Sequence, residues 1–150
     1  MATLDDMVES ILDAVGDAIQ AAADETGGGL DEVVSVVRGD RSRPMPDLPA
    51  VWIIPQPATY DQADFGDDEQ WVMDVSIAAL VKNDDPEIGA RTAQRIAARA
   101  RKVALTIRHE VAGLVDVTSR TFDPHARRSE QNRALSWTDA TIRVTFTVTD

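Results

Sequence analysis

The chain has no cysteine in 150 residues, which removes disulfides, thiolate metal centres and a cysteine nucleophile from its chemistry. It has only two histidines, so a nucleophile–base pair is hard to assemble. Aromatic residues are scarce, at three Trp, three Phe and one Tyr, and Val, Ile, Leu and Ala must supply the core. No apolar run approaches the ~20 residues of a membrane span, and the opening MATLDDMVES lacks the basic start of a signal peptide. The expectation is a soluble protein that is not classically secreted and has no membrane partner. Length favours one domain over 1–150, and 43% apolar residues are enough to build a real core.

What the chain has in excess is aspartate. Of 26 acids, 19 are Asp, against 15 bases of which two are Lys, for a net charge of −11. The charge is split along the chain: residues 1–37 hold nine acids and no base, residues 1–70 sum to −13, and residues 71–150 sum to +2. A chain this far from neutrality repels itself, and concentrated salt screens that repulsion as the Debye length falls from ~10 Å at 0.1 M to ~3 Å at 1 M. The Asp-rich, Lys-poor, Arg-retaining pattern resembles proteins of salt-loving archaea; an acidic, GC-rich bacterial origin is the alternative.

Apolar periodicity orders the chain. Leu4, Met7, Val8, Ile11, Leu12, Val15, Ile19 and Ala22 recur at helical spacing behind a Thr3 N-cap, and Gly27, Gly28 and Gly29 stop the helix. Residues 33–37 and 50–54 predict two short strands in a hairpin, the second closed by Pro55. Residues 56–69, with five acids and no base, predict an exposed loop. Alternation over 71–81 predicts a long central strand, and Asp84-Asp85-Pro86-Glu87 opens a helix through about His109. Its expected buried stripe is Ile88, Thr92, Ile96, Ala100, Val103, Ala104 and Ile107. Residues 114–122 predict a fourth strand, and 123–132 a polar connection. The final segment changes phase between Leu135, Trp137 and Ala140, Ile142, Val144, Phe146, Val148, so a β-bulge is expected near Thr138 and Asp139. The predicted fold is α+β: a mixed, mostly antiparallel five-stranded sheet with two helices packed on one face, in the order αβββαββ.

Motifs for chemistry are weak. His109-Glu110 starts an HExxH-like run, but Gly113 stands where the second imidazole is needed. Asp64-Phe65-Gly66 matches the kinase magnesium triplet in letters only. Arg38-Gly39-Asp40 reads as a turn. Asp64, Asp67, Asp68 and Glu69 could gather oxygen ligands, but their spacing lacks the alternating ligands and central glycine of an EF-hand loop. The glycine run opens no helix and follows no strand, so it is a spacer rather than a phosphate loop. No catalytic residue, cofactor or metal is assigned. The basic face of the second helix is distinctive: Arg91, Arg95, Arg99 and Lys102 lie at i, i+4, i+8 and i+11 and form one cationic ridge. Nucleic acid is disfavoured there by the surrounding negative charge and by the lack of interleaved aromatics. Complementarity to the acidic first helix, within or between subunits, is the alternative to a solvated face.

Four features together resemble the tail-terminator or tail-completion (minor tail) proteins of long-tailed viruses. They are the N-terminal amphipathic helix, the strand pair with Leu48-Pro49-Ala50-Val51-Trp52-Ile53, the long strand 71–81, and the Asp84-Asp85-Pro86 helix followed by closing strands. The resemblance implies a non-enzymatic structural protein, a homo-oligomer forming a hexameric ring. That ring would cap the tail tube at the tail–neck junction of the virion after assembly in the host cytoplasm. Its implied partners are the tail tube protein and a neck or head-completion protein, with viral DNA passing through the lumen without specific binding. With the acidic composition, the host would be a halophilic archaeon. A head–tail connector or neck protein is the alternative within virions, and a small cytosolic enzyme the alternative outside them. The expected docking residues are Asp64, Phe65, Asp67, Asp68 and Glu69 in the acidic loop and Arg91, Arg95 and Arg99 on the ridge.

Overall fold

The computed structural model describes residues 3–39, 46–63, 68–129 and 134–149. Helix α1 (Leu4–Asp24) starts where the Thr3 hydroxyl accepts the Asp6 N–H at 3.2 Å and the Asp6 carboxylate accepts the Thr3 N–H at 3.3 Å. This capping box satisfies two amides that the helix cannot pair internally, and a cap of this kind contributes about 1 kcal/mol. Met7, Ile11, Leu12, Val15 and Ile19 form its buried stripe, as their spacing predicts.

The strands are β1 (Ser35–Arg38), β2 (Ala50–Ala63), β3 (Asp68–Lys82), β4 (Leu114–Phe122), β5 (Arg127–Arg128) and β6 (Leu135–Thr149). Helix α2 (Pro86–Ala104) and a 3-10 helix (Leu105–His109) lie between β3 and β4. The sheet runs β1-β2-β3-β6-β4, with β5 also paired to β6. The fold is α+β, with two helices packed against a six-stranded mixed sheet. The sixth strand is β5, two residues inside the expected polar connection and too short to leave a periodic signal. The core joins α1, α2 and the alternate residues Met73, Val75, Ile77, Ala79, Val81 of β3 and Ile142, Val144, Phe146, Val148 of β6. Burying a side chain such as Phe146 contributes on the order of 1.5–3 kcal/mol.

Four local expectations are corrected. First, β1 and β2 are parallel neighbours, with Ser35 opposite Ala50 and Arg38 opposite Ile53, and do not form a hairpin. Apolar runs of this kind have the same pattern in either direction. The chain is turned at Gly39, whose φ of 113° favours glycine, and its N–H donates to the Ile53 carbonyl at 3.2 Å.

Second, most of the expected acidic loop is strand. β2 passes Pro55 and runs to Ala63, and β3 begins at Asp68, with Ala63 opposite Glu69. Register shifts between Pro55 and Ala58 and between Tyr60 and Gln62 accommodate the irregular sequence. β3 is ladder-paired to β6 along its whole length, from Asp68–Thr149 to Lys82–Leu135, so the neighbour supplies what the local pattern lacks.

Third, α2 ends at Ala104 and continues as the 3-10 helix to His109; Ile96, Ala100, Ala104 and Ile107 of the expected stripe are buried, and Gly89, Ala93 and Ala97 join them. Ile88 is 51% exposed, and Thr92 and Val103 are half-buried. Small residues of the helix thus meet the sheet. Fourth, β6 has no bulge: alternation is unbroken from Ser136 through Val148, and Ser136 and Thr138 point inward. The Thr138 hydroxyl donates to the Asp123 carbonyl at 2.6 Å, which allows a polar side chain on the apolar face. The register shifts lie in β4, between Leu114 and Asp116 and between Ser119 and Thr121.

Candidate functional site

The cationic ridge of α2 is largely engaged by its own chain. Asp31 follows the glycine run, and its carboxylate accepts the Gly27 N–H at 2.7 Å and the Gly29 N–H at 3.2 Å. The Gly27 hydrogen bond above all, with help from Gly29 and the Arg95 charge, holds the Asp31 carboxyl below the usual carboxylate range. A carboxylate of the chain itself therefore fills this amide nest, and Gly27, Gly28 and Gly29 are more than a spacer. Arg99 Nε donates to the Gly28 carbonyl at 2.9 Å, Arg95 pairs with Glu32, and Arg91 pairs with Glu87 one turn earlier at 2.7 Å. All three arginines meet acceptors on residues 25–32 or on α2 itself, and none of these partners lies in α1.

The acids of α1 find their base elsewhere. Arg38, at the end of β1, pairs with both Glu9 and Asp13. Sequence reasoning read Arg38 only as part of a turn tripeptide; its role depends on β1 lying beside α1, which no local pattern encodes.

Of the expected docking acids, Asp64, Phe65 and Asp67 lie outside the described residues. Asp68 accepts the Thr149 hydroxyl at 2.9 Å, and Glu69 accepts the Trp71 indole N–H at 3.0 Å. Tyr60 meets Trp71 edge to face at 5.5 Å across the β2–β3 ladder, and Gln70 donates to Asp61 at 2.6 Å.

The sheet face without helices holds a polar cluster that sequence reasoning missed. Asp74 accepts Arg143 Nε at 2.9 Å and Nη2 at 3.4 Å, and Arg120 Nη1 at 3.0 Å. It joins β3, β6 and β4, and it borders a shallow depression of about 260 Å³ with Tyr60, Asp61 and Val72. Asp74 and Arg143 are directly opposed in the β3–β6 register; knowledge of that pairing would have exposed the contact. Among the described residues, no group of three or more His, Asp or Glu side chains converges to hold a metal ion.

The whole architecture recurs in a virus-like particle. A chain in the solved structure titled "Virion of native gene transfer agent (GTA) particle" superposes with a TM-score of 0.59 at 19% identity, covering 92% of this chain and 98% of that one. The two share a fold. No family model and no curated protein matches this chain. Among the described residues, no helix is long and apolar enough to cross a membrane.

Proposed function

We propose that the chain is a structural, non-enzymatic virion protein, a tail terminator that forms a six-membered ring at the tail–neck junction. The observation that carries the reading is the end-to-end fold match, 92% of this chain onto 98% of a virion component. In this reading Phe65 and the acids Asp64 and Asp67, between β2 and β3 in sequence, contact the tail tube. Exposed ion pairs contribute only ~0–1 kcal/mol each, so binding depends on repetition around the ring and on apolar contact. The bias toward Asp fits a host with salt-rich cytoplasm; a melting temperature that rises between 0.1 and 3 M KCl is the expected sign, and a flat response removes the halophile element.

Co-sedimentation of purified protein with tail tubes and with tail-less heads tests the role. Wild type should pellet with tubes, and Phe65→Ala should lose that binding with an unchanged circular-dichroism spectrum. Pelleting with heads alone would replace the terminator role with that of a neck or connector protein. Binding to neither would overturn the virion reading.

A further inference from the structure

The two ends of the sheet differ in charge and in what covers them. At one end lie β1 and the flank of α1, where, among the described residues, Glu9, Asp13 and Asp17 outnumber Arg38. A groove of about 190 Å³ lies there between α1 and β1, lined by Asp13, Asp17, Gln20, Val36 and Arg38. At the other end lie β4 and β5. Arg101 reaches Ser119 at 3.1 Å, Arg108 reaches Asp116 at 3.6 Å, and Arg120 and Arg127 belong to the strands themselves. The acids paired with these arginines are Asp116, Asp123 and, for Arg120, Asp74, fewer than the arginines.

Both ends also present backbone and apolar surface. β1 and β4 terminate the strand order, so among the described residues neither has a partner on its far side. Val34 beside β1 is 61% exposed, and Val115 and Phe122 on β4 are 45% and 39% exposed. Beyond β1 the sheet edge passes to β2, where Pro55 and Pro57 lack the N–H a neighbouring strand would need. β4 runs nine residues without proline, an edge of the kind that pairs with another strand unless something covers it.

We infer that copies of this chain join head to tail, the acidic α1–β1 end of one copy seated against the basic β4–β5 end of the next. The inference rests on the ring reading and supplies its junction. Two unlike surfaces at opposite ends of one molecule make a heterologous contact, which closes into a ring when the rotation between neighbours divides a full turn. Strand directions agree with this. β1 and β2 run together, β3 is antiparallel to β2, β6 to β3 and β4 to β6, so β4 runs opposite to β1. Rotation about an axis parallel to the strands preserves their direction, so in a ring built about such an axis β4 would meet the neighbour's β1 as an antiparallel pair. In the proposed junction the neighbour's α1 flank, with Asp13 and Asp17, faces Arg101 and Arg108.

Charge exchange tests the junction. One variant carries Arg101→Glu and Arg108→Glu; the other carries Asp17→Lys and Gln20→Lys, which leaves the Arg38 pairs with Glu9 and Asp13 in place. Mass is read by light scattering at about 0.15 M salt, where surface charge is only partly screened. Wild type should have the mass of a closed ring, and each variant alone should fall to the 16.3 kDa of a single chain. An equimolar mixture should regain the wild-type mass, because each altered end then faces its altered complement. Recovery would also show that both variants fold. The inference is overturned if either variant alone keeps the wild-type mass, or if the mixture stays monomeric while both spectra remain native. It is also overturned if wild type is monomeric or a two-fold dimer while still pelleting with tail tubes, an outcome that leaves the terminator reading standing. Loss of wild-type pelleting with tubes and heads sinks that reading instead.

Discussion

The two helices lie on the same sheet face and solve the same packing problem with opposite materials. α1 buries large aliphatic side chains, Met7, Ile11, Leu12, Val15 and Ile19. α2 buries Gly89, Ala93, Ala97, Ala100 and Ala104, with Ile96 the one large residue among them. Small residues let a helix axis approach closely. A Cβ added at Gly89 would lie 3.1 Å from Ser136 Oγ and 3.4 Å from Asn83 Cβ, so the first turn of α2 is already at contact with β6. In α1 the energy comes from area buried per side chain; in α2 it comes from backbone proximity and many small contacts. The charges differ likewise, since α1 is acidic and relies on a base from β1, whereas Arg91 of α2 pairs with its own helix and Arg95 with Glu32 in the loop after α1.

The contrast can be broken by substitution, with the largest effect expected where α1 depends on volume. Ile11→Ala removes a fully buried side chain and should cost about 2–5 kcal/mol, measured by urea unfolding with an unchanged m-value. A loss under 1 kcal/mol would mean that α1 does not rely on large side chains. On α2 the sensitive change is the reverse, from small to large. Ala97→Leu should cost about 1–3 kcal/mol by overpacking, while Ile88→Ala should be nearly neutral because Ile88 is half exposed. Equal effects at the two sites would restore the stripe expected from periodicity.

A smaller effect of opposite sign is expected beneath α2. The Ser136 hydroxyl is fully buried and has no hydrogen-bond partner among the described residues. Ser136→Ala should raise stability by about 1 kcal/mol, visible as a higher melting temperature, since the uncompensated desolvation of the hydroxyl is removed. A decrease would show that the hydroxyl is paired in solution.

The smallest effect concerns Asp31, whose carboxylate ties the end of α1 to Gly27 and Gly29. Its folded pKa lies below the ordinary value of 3.8. The stability it contributes is therefore present above that value and lost as pH falls through the folded pKa. Wild type should be more stable than Asp31→Ala at pH 7, and the gap should close as pH falls below about 4. A gap independent of pH would assign the effect of the substitution to the loop backbone.

Legibility follows the range of the interactions. α1, its Thr3 cap, the central β3 alternation and the span of β4 were readable because each depends on contacts within a few residues or on one-sided burial. The Asp85 cap of α2 was readable for the same reason: its carboxylate accepts the Glu87 N–H at 2.9 Å and the Ile88 N–H at 3.3 Å. The burial of Gly89, Ala93 and Ala97 was not, because alanine and glycine carry little hydropathic signal, and Ile88 was drawn into a stripe of which Ile96, Ala100, Ala104 and Ile107 are buried. The phase change in β6 looked like a bulge because Ser136 and Thr138 are polar. Only the Asp123 carbonyl, fifteen residues from Thr138, makes an inward threonine acceptable. Of the expected docking residues, Arg91, Arg95 and Arg99 were located correctly on one helix, but their partners were not legible.

Sequence alone determined the number and kind of the main elements, the capping of both helices and the uneven charge, since these depend on side-chain spacing and on local hydrogen bonds. Tertiary structure decided the parallel pairing of β1 with β2, the extension of the β2–β3 hairpin through an acidic stretch, and the Asp74–Arg143–Arg120 cluster across three strands. It also set the opposite charges at the two ends of the sheet. Each of these depends on which strand lies beside which, and pairing between distant segments is chosen by the summed burial of the whole core rather than by any residue's own preference.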